Sequence, residues 1–249
     1  MDFTLTKYRA LLLSLRDAEY QFCLFRDYKL SDNVGKQVYL RHDIDDRPEN
    51  ALEMAIEENR VGIAGTYYFR NRKHIFIEKI IRRIEDLGHE IGYHYENLAD
   101  SKGDAVFAID DFRINLNRFR AVADVQTICM HGSPYSRWNN LDLWDQYSYT
   151  DEEVILEVFR DIDYNGSMYL TDTGRKWDSG RENMRDKVAS SIPHSFQSTD
   201  DIIQSIFTLP SKLFITVHPQ RWTDNSVLWI RELVMQAAKN VIKRKLIRH

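Results

Sequence analysis

Short runs of β-branched and aromatic residues alternate along this chain with longer stretches in which apolar residues return every three or four positions. The first pattern marks strands and the second marks amphipathic helices. Gln37–Arg41 (QVYLR), Thr66–Phe69 (TYYF), Glu90–Tyr93, Thr127–Met130 (TICM), Met168–Leu170 and Leu213–Val217 (LFITV) read as strands. Helices are predicted over about 5–30, over Pro48–Arg60 with Pro in a first-turn position, and over Ile75–Leu87, closed by Gly88. Two more are predicted over Asp104–Val122 and about 226–245. Strands alternating with helices of this length imply βα units and a parallel sheet. Five or six strands in 249 residues suit an α/β barrel or an open doubly wound sheet. No repeat or linker divides the chain, so one domain over 1–249 is expected, with its core over about 37–222.

In either architecture, function gathers beyond the C-terminal ends of the strands. After QVYLR comes His42-Asp43-Ile44-Asp45-Asp46. Residues two apart in extended chain point the same way, so Asp43 and Asp45 face one site. His94 follows the strand at Glu90–Tyr93, His131 follows TICM, Asp172 follows Met168–Leu170 by two residues, and His218 follows LFITV. Five strand ends thus deliver Asp or His to one rim, and imidazole with carboxylate is a ligand set for zinc or another transition metal. Asp46, nearest Pro48, is read as a helix cap. His89 is read as structural and facing away from His94. Asp172, Arg175 and Trp177 lie in a loop rich in aromatic and polar groups and are candidate substrate contacts. Trp138 and Trp144 are assigned to packing, while Trp222 is left open between cleft and core.

Composition narrows the class. With 38 acidic and 34 basic residues the net charge is −4, which argues against nucleic-acid binding through bulk charge. An aromatic share of 12% supplies core material and argues against disorder. Two cysteines, Cys23 and Cys129, exclude a disulfide framework and fit reduced thiols. Ala10–Leu15, the longest apolar run near the start, is too short for an export signal or a membrane span, so a cytoplasmic protein is expected. The five Lys/Arg from Lys239 to His249 are read as cations favoured at a helix C-terminus, with a membrane surface or a nucleotide-linked substrate as alternatives.

These residues resemble the polysaccharide deacetylases, the family 4 carbohydrate esterases. The likeness runs from about residue 37 to 222. It rests on His42-Asp43-Ile44-Asp45, on Gly88-His89-Glu90-Ile91-Gly92-Tyr93-His94, on His131-Gly132-Ser133-Pro134-Tyr135, and on Thr216-Val217-His218. The resemblance implies a distorted or incomplete (β/α) barrel and one divalent metal ion, most often zinc in the family. It implies Asp45 and His94 as ligands, Asp43 as general base and His218 as general acid. A backbone N–H such as that of Tyr135 would stabilise the oxyanion. The implied substrate is an N-acylated sugar or glycan intermediate. Without an export signal, an intermediate of surface-polysaccharide assembly fits better than exported polymer.

The family usually places a second ligating His four residues after the first, and here that position is Leu98. The first candidate to replace it is His131, with Glu96 or Asn97 second. An inactive barrel that binds glycan or a partner protein is the rival reading. A glycoside hydrolase is disfavoured, because its two carboxylates stand about 5–9.5 Å apart across the bond they cut.

Overall fold

A computed structural model describes residues 1–31, 34–177, 188 and 192–247, with side chains to Val241. Eight strands form one sheet: β1 (Tyr20–Cys23), β2 (Lys36–Ile44), β3 (Thr66–Phe69), β4 (Glu90–Tyr95), β5 (Thr127–Met130), β6 (Leu156–Glu157), β7 (Met168–Thr171) and β8 (Lys212–Val217). The helices are α1 (Leu5–Asp17), α2 (Pro48–Arg60), α3 (Glu78–Asp86), α4 (Asn97–Asp100), α5 (Ala105–Arg120), α6 (Val158–Asp161), α7 (Thr199–Ser205) and α8 (Ser226–Ile247). The strands run β6-β5-β4-β3-β2-β8-β7, with every pairing parallel. β1 and β3 share one edge of β2, β1 along Lys36–Tyr39 and β3 along Arg41–Ile44. Among the described residues no pairing joins the end strands β6 and β7, so the fold is an incomplete (β/α) barrel.

Both faces of the sheet are buried, which is why its strands read as nearly continuous apolar runs. Val38 and Leu40 of β2, with Leu213 and Ile215 of β8, pack against Leu11, Leu12 and Leu15 of α1 and Met54 of α2. Tyr67, Ile91 and Tyr93 meet Ile80, Ile81 and Ile84 of α3 and Phe112, Leu116 and Phe119 of α5. The opposite face is filled by Tyr39, Tyr68, Cys129, Tyr169 and Phe214, closed by Phe25 and Tyr164. Tyr39 stacks on Phe214 with ring centres 5.1 Å apart.

Gly92 makes this filling possible. It pairs with Tyr68 across β3 and β4, and the Tyr68 ring crosses it to reach Thr127 Oγ1 at 3.0 Å. A Cβ on Gly92 would stand 2.3 Å from that ring. Gly92→Ala is therefore expected to destabilise the fold by roughly 1–3 kcal/mol through overpacking. An unchanged melting temperature would refute this.

The predicted helix over 5–30 is corrected. Thr4 caps α1 by accepting from the Lys7 N–H, but the helix ends at Asp17. Glu19 then takes φ of 66°, outside the helical region, and Tyr20–Cys23 joins the sheet as β1. A strand boundary and a helix boundary also move. β2 continues to Ile44, which carries His42 and Asp43 into the ladder, and α3 begins at Glu78 rather than Ile75.

Candidate functional site

Alternation along β2 sends His42 outward and Arg41 and Asp43 into the barrel. Asp45 follows at the strand end with the same parity. His94 on β4, His131 just past β5 and His218 just past β8 also share the inner parity of their strands. They meet Asp45 at the rim. His131 Nε2 lies 3.5 Å and His94 Nε2 3.8 Å from Asp45 Oδ1, and His218 Nε2 lies 3.9 Å from Asp45 Oδ2.

Each ring is turned by an acceptor on its other nitrogen. His94 Nδ1 bonds the Cys129 carbonyl at 2.9 Å, His131 Nδ1 bonds Glu96 Oε2 at 2.8 Å, and His218 Nδ1 bonds Asp172 Oδ1 at 2.6 Å. At His94 and His131 an oxygen that can only accept places the hydrogen on Nδ1 and leaves the Nε2 lone pair directed inward, whereas His218 Nδ1 also lies 2.7 Å from Arg221 Nη1. The carboxylates are short of donors. Asp43 Oδ1 and Asp45 Oδ1 are buried without a hydrogen bond. The inward lone pairs of His94 and His131 beside undersaturated carboxylate oxygens fit a divalent cation. Asp43, His94 and Cys129 also offer ligand atoms within 4.8 Å of one another. The Asp45 group offers imidazoles that acceptors orient from behind, whereas Cys129, level with His94 across β4 and β5, has its Sγ 3.7 Å from the Met130 carbonyl.

The electrostatics follow from these neighbours. Burial pushes the Asp43 carboxyl up, but Arg41, His94 and His218 hold it below the usual carboxylate value. Asp45 is only half-buried, and His131, His218, His94 and Arg70 outweigh its desolvation and hold it well below that range. Burial lowers His94, and its carboxylate neighbours do not fully offset that. At His131 the balance reverses. Asp45 and Glu96 overcome burial and lift the ring above its ordinary value, and what favours a proton there also favours a cation. Glu96 is brought down to about 2, against its burial, by His131, Arg70 and Arg72.

Several expectations change here. Glu96 is spent on Arg70 Nη2 and Arg72 Nη2, both at 2.7 Å, and on orienting His131. Asn97 accepts from the Tyr93 hydroxyl and donates to Asp111, away from the rim. Leu98 packs in the core. Asp172 is fully buried, so it is a partner of His218 rather than a substrate contact. Arg221 Nη1, at 2.5 Å, and the Trp222 indole N–H, at 2.7 Å, hold its two oxygens, and Arg221 and His218 draw it down to about 2 against its burial. Trp177 has no exposed surface for a sugar. It packs with Phe3 and Trp222 and donates to Thr199 Oγ1, which also settles Trp222 in the core. Arg175 stacks on Trp229 at 4.2 Å and donates to its carbonyl. Tyr135 keeps an exposed side chain on the loop after His131. Asp46 does not cap α2, whose N-cap is Arg47 in the left-handed region. His89 lies on the opposite face, accepting from the Gly65 N–H.

Arg41 was missed in the sequence. Its Nη2 lies 2.9 Å from Asp43 Oδ2, and the side chain is buried inside the barrel. The available signal was its shared parity with Asp43, two residues on.

No family model matches the chain, and no curated protein does. Solved structures that it is similar to include a CE4 family pseudoenzyme from Bacillus anthracis, at 12% identity and TM-score 0.46, over 83% of this chain and 62% of that one. A family 4 carbohydrate esterase from Streptomyces lividans, solved in complex with acetate, shares 16% identity at TM-score 0.44, over 83% of this chain and 90% of that one. A Streptococcus mutans CE4 esterase shares 15% identity at TM-score 0.45, over 86% and 82%. Likeness at this level carries no functional argument by itself.

Proposed function

We propose that this chain is a metal-dependent hydrolase that removes an N-acyl group, acetyl first among them, from an amino sugar or glycan intermediate. We place it in the cytoplasm, in surface-polysaccharide assembly. The observation that carries the reading is the convergence of three imidazole Nε2 atoms on Asp45, each ring fixed from behind by an acceptor. His131 then takes the ligand position that Leu98 cannot fill, beside Asp45 and His94. A divalent ion held there, zinc most often in the family that the motifs resemble, would supply Lewis acidity to the acyl carbonyl and lower the pKa of a water.

The chain's own groups do the proton work. Asp43, kept ionised by Arg41, accepts a proton from the attacking water as its oxygen bonds the acyl carbon. His218, held by Asp172, enters this step with a proton on Nε2 and delivers it to the nitrogen as the C–N bond breaks, so that the ring ends neutral. Acetate and a free amine leave. The loop bearing Tyr135 borders the site and offers its backbone N–H to the oxyanion.

The test is metal content of the purified chain together with acetate release from N-acetylglucosamine oligomers and from a nucleotide-linked N-acetyl sugar. About one ion per chain with metal-dependent release supports the reading. No binding of zinc, cobalt, nickel or manganese would refute it. The buried Leu98 favours a second reading, an inactive barrel that binds glycan, which predicts sugar binding without release.

A further inference from the structure

Helix α8 is inside out. A helix on a globular surface normally turns its apolar stripe inward. Here Glu232, Gln236 and Asn240, spaced by four, face the protein and are buried. Glu232 lies 3.9 Å from Arg47, and Asn240 donates to the Gly174 carbonyl at 2.9 Å. Outward stand Val227 (75% exposed), Ile230 (57%), Val234 (63%) and Val241 (55%), spaced by three, four and seven. The charge is as uneven as the hydrophobicity. Residues 226–249 hold six of the 34 basic residues and one of the 38 acidic ones, so they carry +5 while the rest of the chain carries −9. Arg231 and Lys239 are exposed on α8, and Lys243, Arg244, Lys245 and Arg248 follow in sequence, with side chains outside the described residues.

We propose that α8 docks flat on an anionic lipid bilayer through this outward face. An apolar stripe flanked by cations is the pattern of an interfacial helix. Among the described residues no helix is long and apolar enough to cross a membrane, so the contact is superficial. The acidic body is repelled by the same surface that attracts α8, which fixes the orientation. A second copy is disfavoured as the occupant, because pairing two α8 faces would bring +5 against +5. The proposal does not depend on the hydrolase reading.

The test is co-sedimentation of the full chain with phosphatidylcholine vesicles and with mixed phosphatidylcholine–phosphatidylglycerol vesicles. Binding is expected to the anionic vesicles only and to weaken as salt rises. Arg231→Gln is expected to weaken it about fivefold. Ile230→Glu and Val234→Glu are each expected to weaken it at least about tenfold with unchanged circular dichroism, since both positions are exposed. Three results would overturn the proposal: no binding to anionic vesicles at low salt, equal binding to neutral ones, or binding that survives Ile230→Glu. A lipid-free dimer that Ile230→Glu dissociates would assign the face to a second copy instead.

Discussion

Asp43→Asn is expected to retain its metal and lose about 10²–10⁴-fold in kcat, the span that a positioned general base contributes. Asp45→Ala is expected to lose both metal and activity. The contrast follows from geometry. Asp45 Oδ1 is approached by His131 and His94 and has no hydrogen bond, whereas Asp43 Oδ2 is tied to Arg41 at 2.9 Å. Asparagine preserves the shape of Asp43 but has no carboxylate to take a proton. His131→Ala should follow Asp45→Ala. Glu96→Gln should keep the site and weaken metal affinity about 10–100-fold, because it weakens the acceptor that orients His131 along with the ion pairs to Arg70 and Arg72. Metal stoichiometry measured beside kcat separates these outcomes. An Asp43→Asn enzyme at full rate would remove Asp43 from the mechanism, and a His131→Ala protein with full metal would return the third-ligand question to Asp43 or Cys129.

Glu58→Ala is expected to cost about 3–5 kcal/mol, the range for breaking a buried charge network from one side. Glu58 on α2 is wholly buried. It accepts from the Tyr8 hydroxyl at 2.5 Å and the Tyr67 hydroxyl at 2.9 Å, and it lies 2.7 Å from His42 Nε2. The other His42 nitrogen lies 3.2 Å from the Thr66 carbonyl. Alanine would leave that ring and two hydroxyls without their common acceptor. Burial alone would raise the Glu58 carboxyl, but His42, His89 and Tyr8 hold it below the ordinary value of 4.5. A depressed carboxyl contributes stability that is fully present above its unfolded value and is lost as pH falls through its folded value. The wild type should therefore lose stability below pH 4.5, and Glu58→Gln should show a lower plateau with less of that acid dependence. Urea titrations across pH test both, and equal slopes for the two proteins would refute the assignment.

The local pattern of this chain determined six of its eight strands, the long helices α2 and α5, and the parity that puts Asp43 and Asp45 on one face. It also placed His94, His131 and His218 at strand ends, since a two-residue period and a chain reversal are properties of neighbours in sequence. It did not determine β1, which follows α1 after two residues and is only partly buried, or β6, whose two residues are too short to carry a period. It did not show that Arg41 is buried, because a charged residue in a strand looks solvent-facing until the sheet curls around it. Trp177 in a polar loop looked like a sugar platform, and only Phe3 and Trp222, far away in sequence, turned it into core. Asp172 looked like a substrate contact until β7 was laid beside β8 and brought His218 to it. The faces of α8 were readable from its spacing, but which face turns inward was not. Periodicity settles which side chains share a face, and only the pairing of distant segments settles what that face meets.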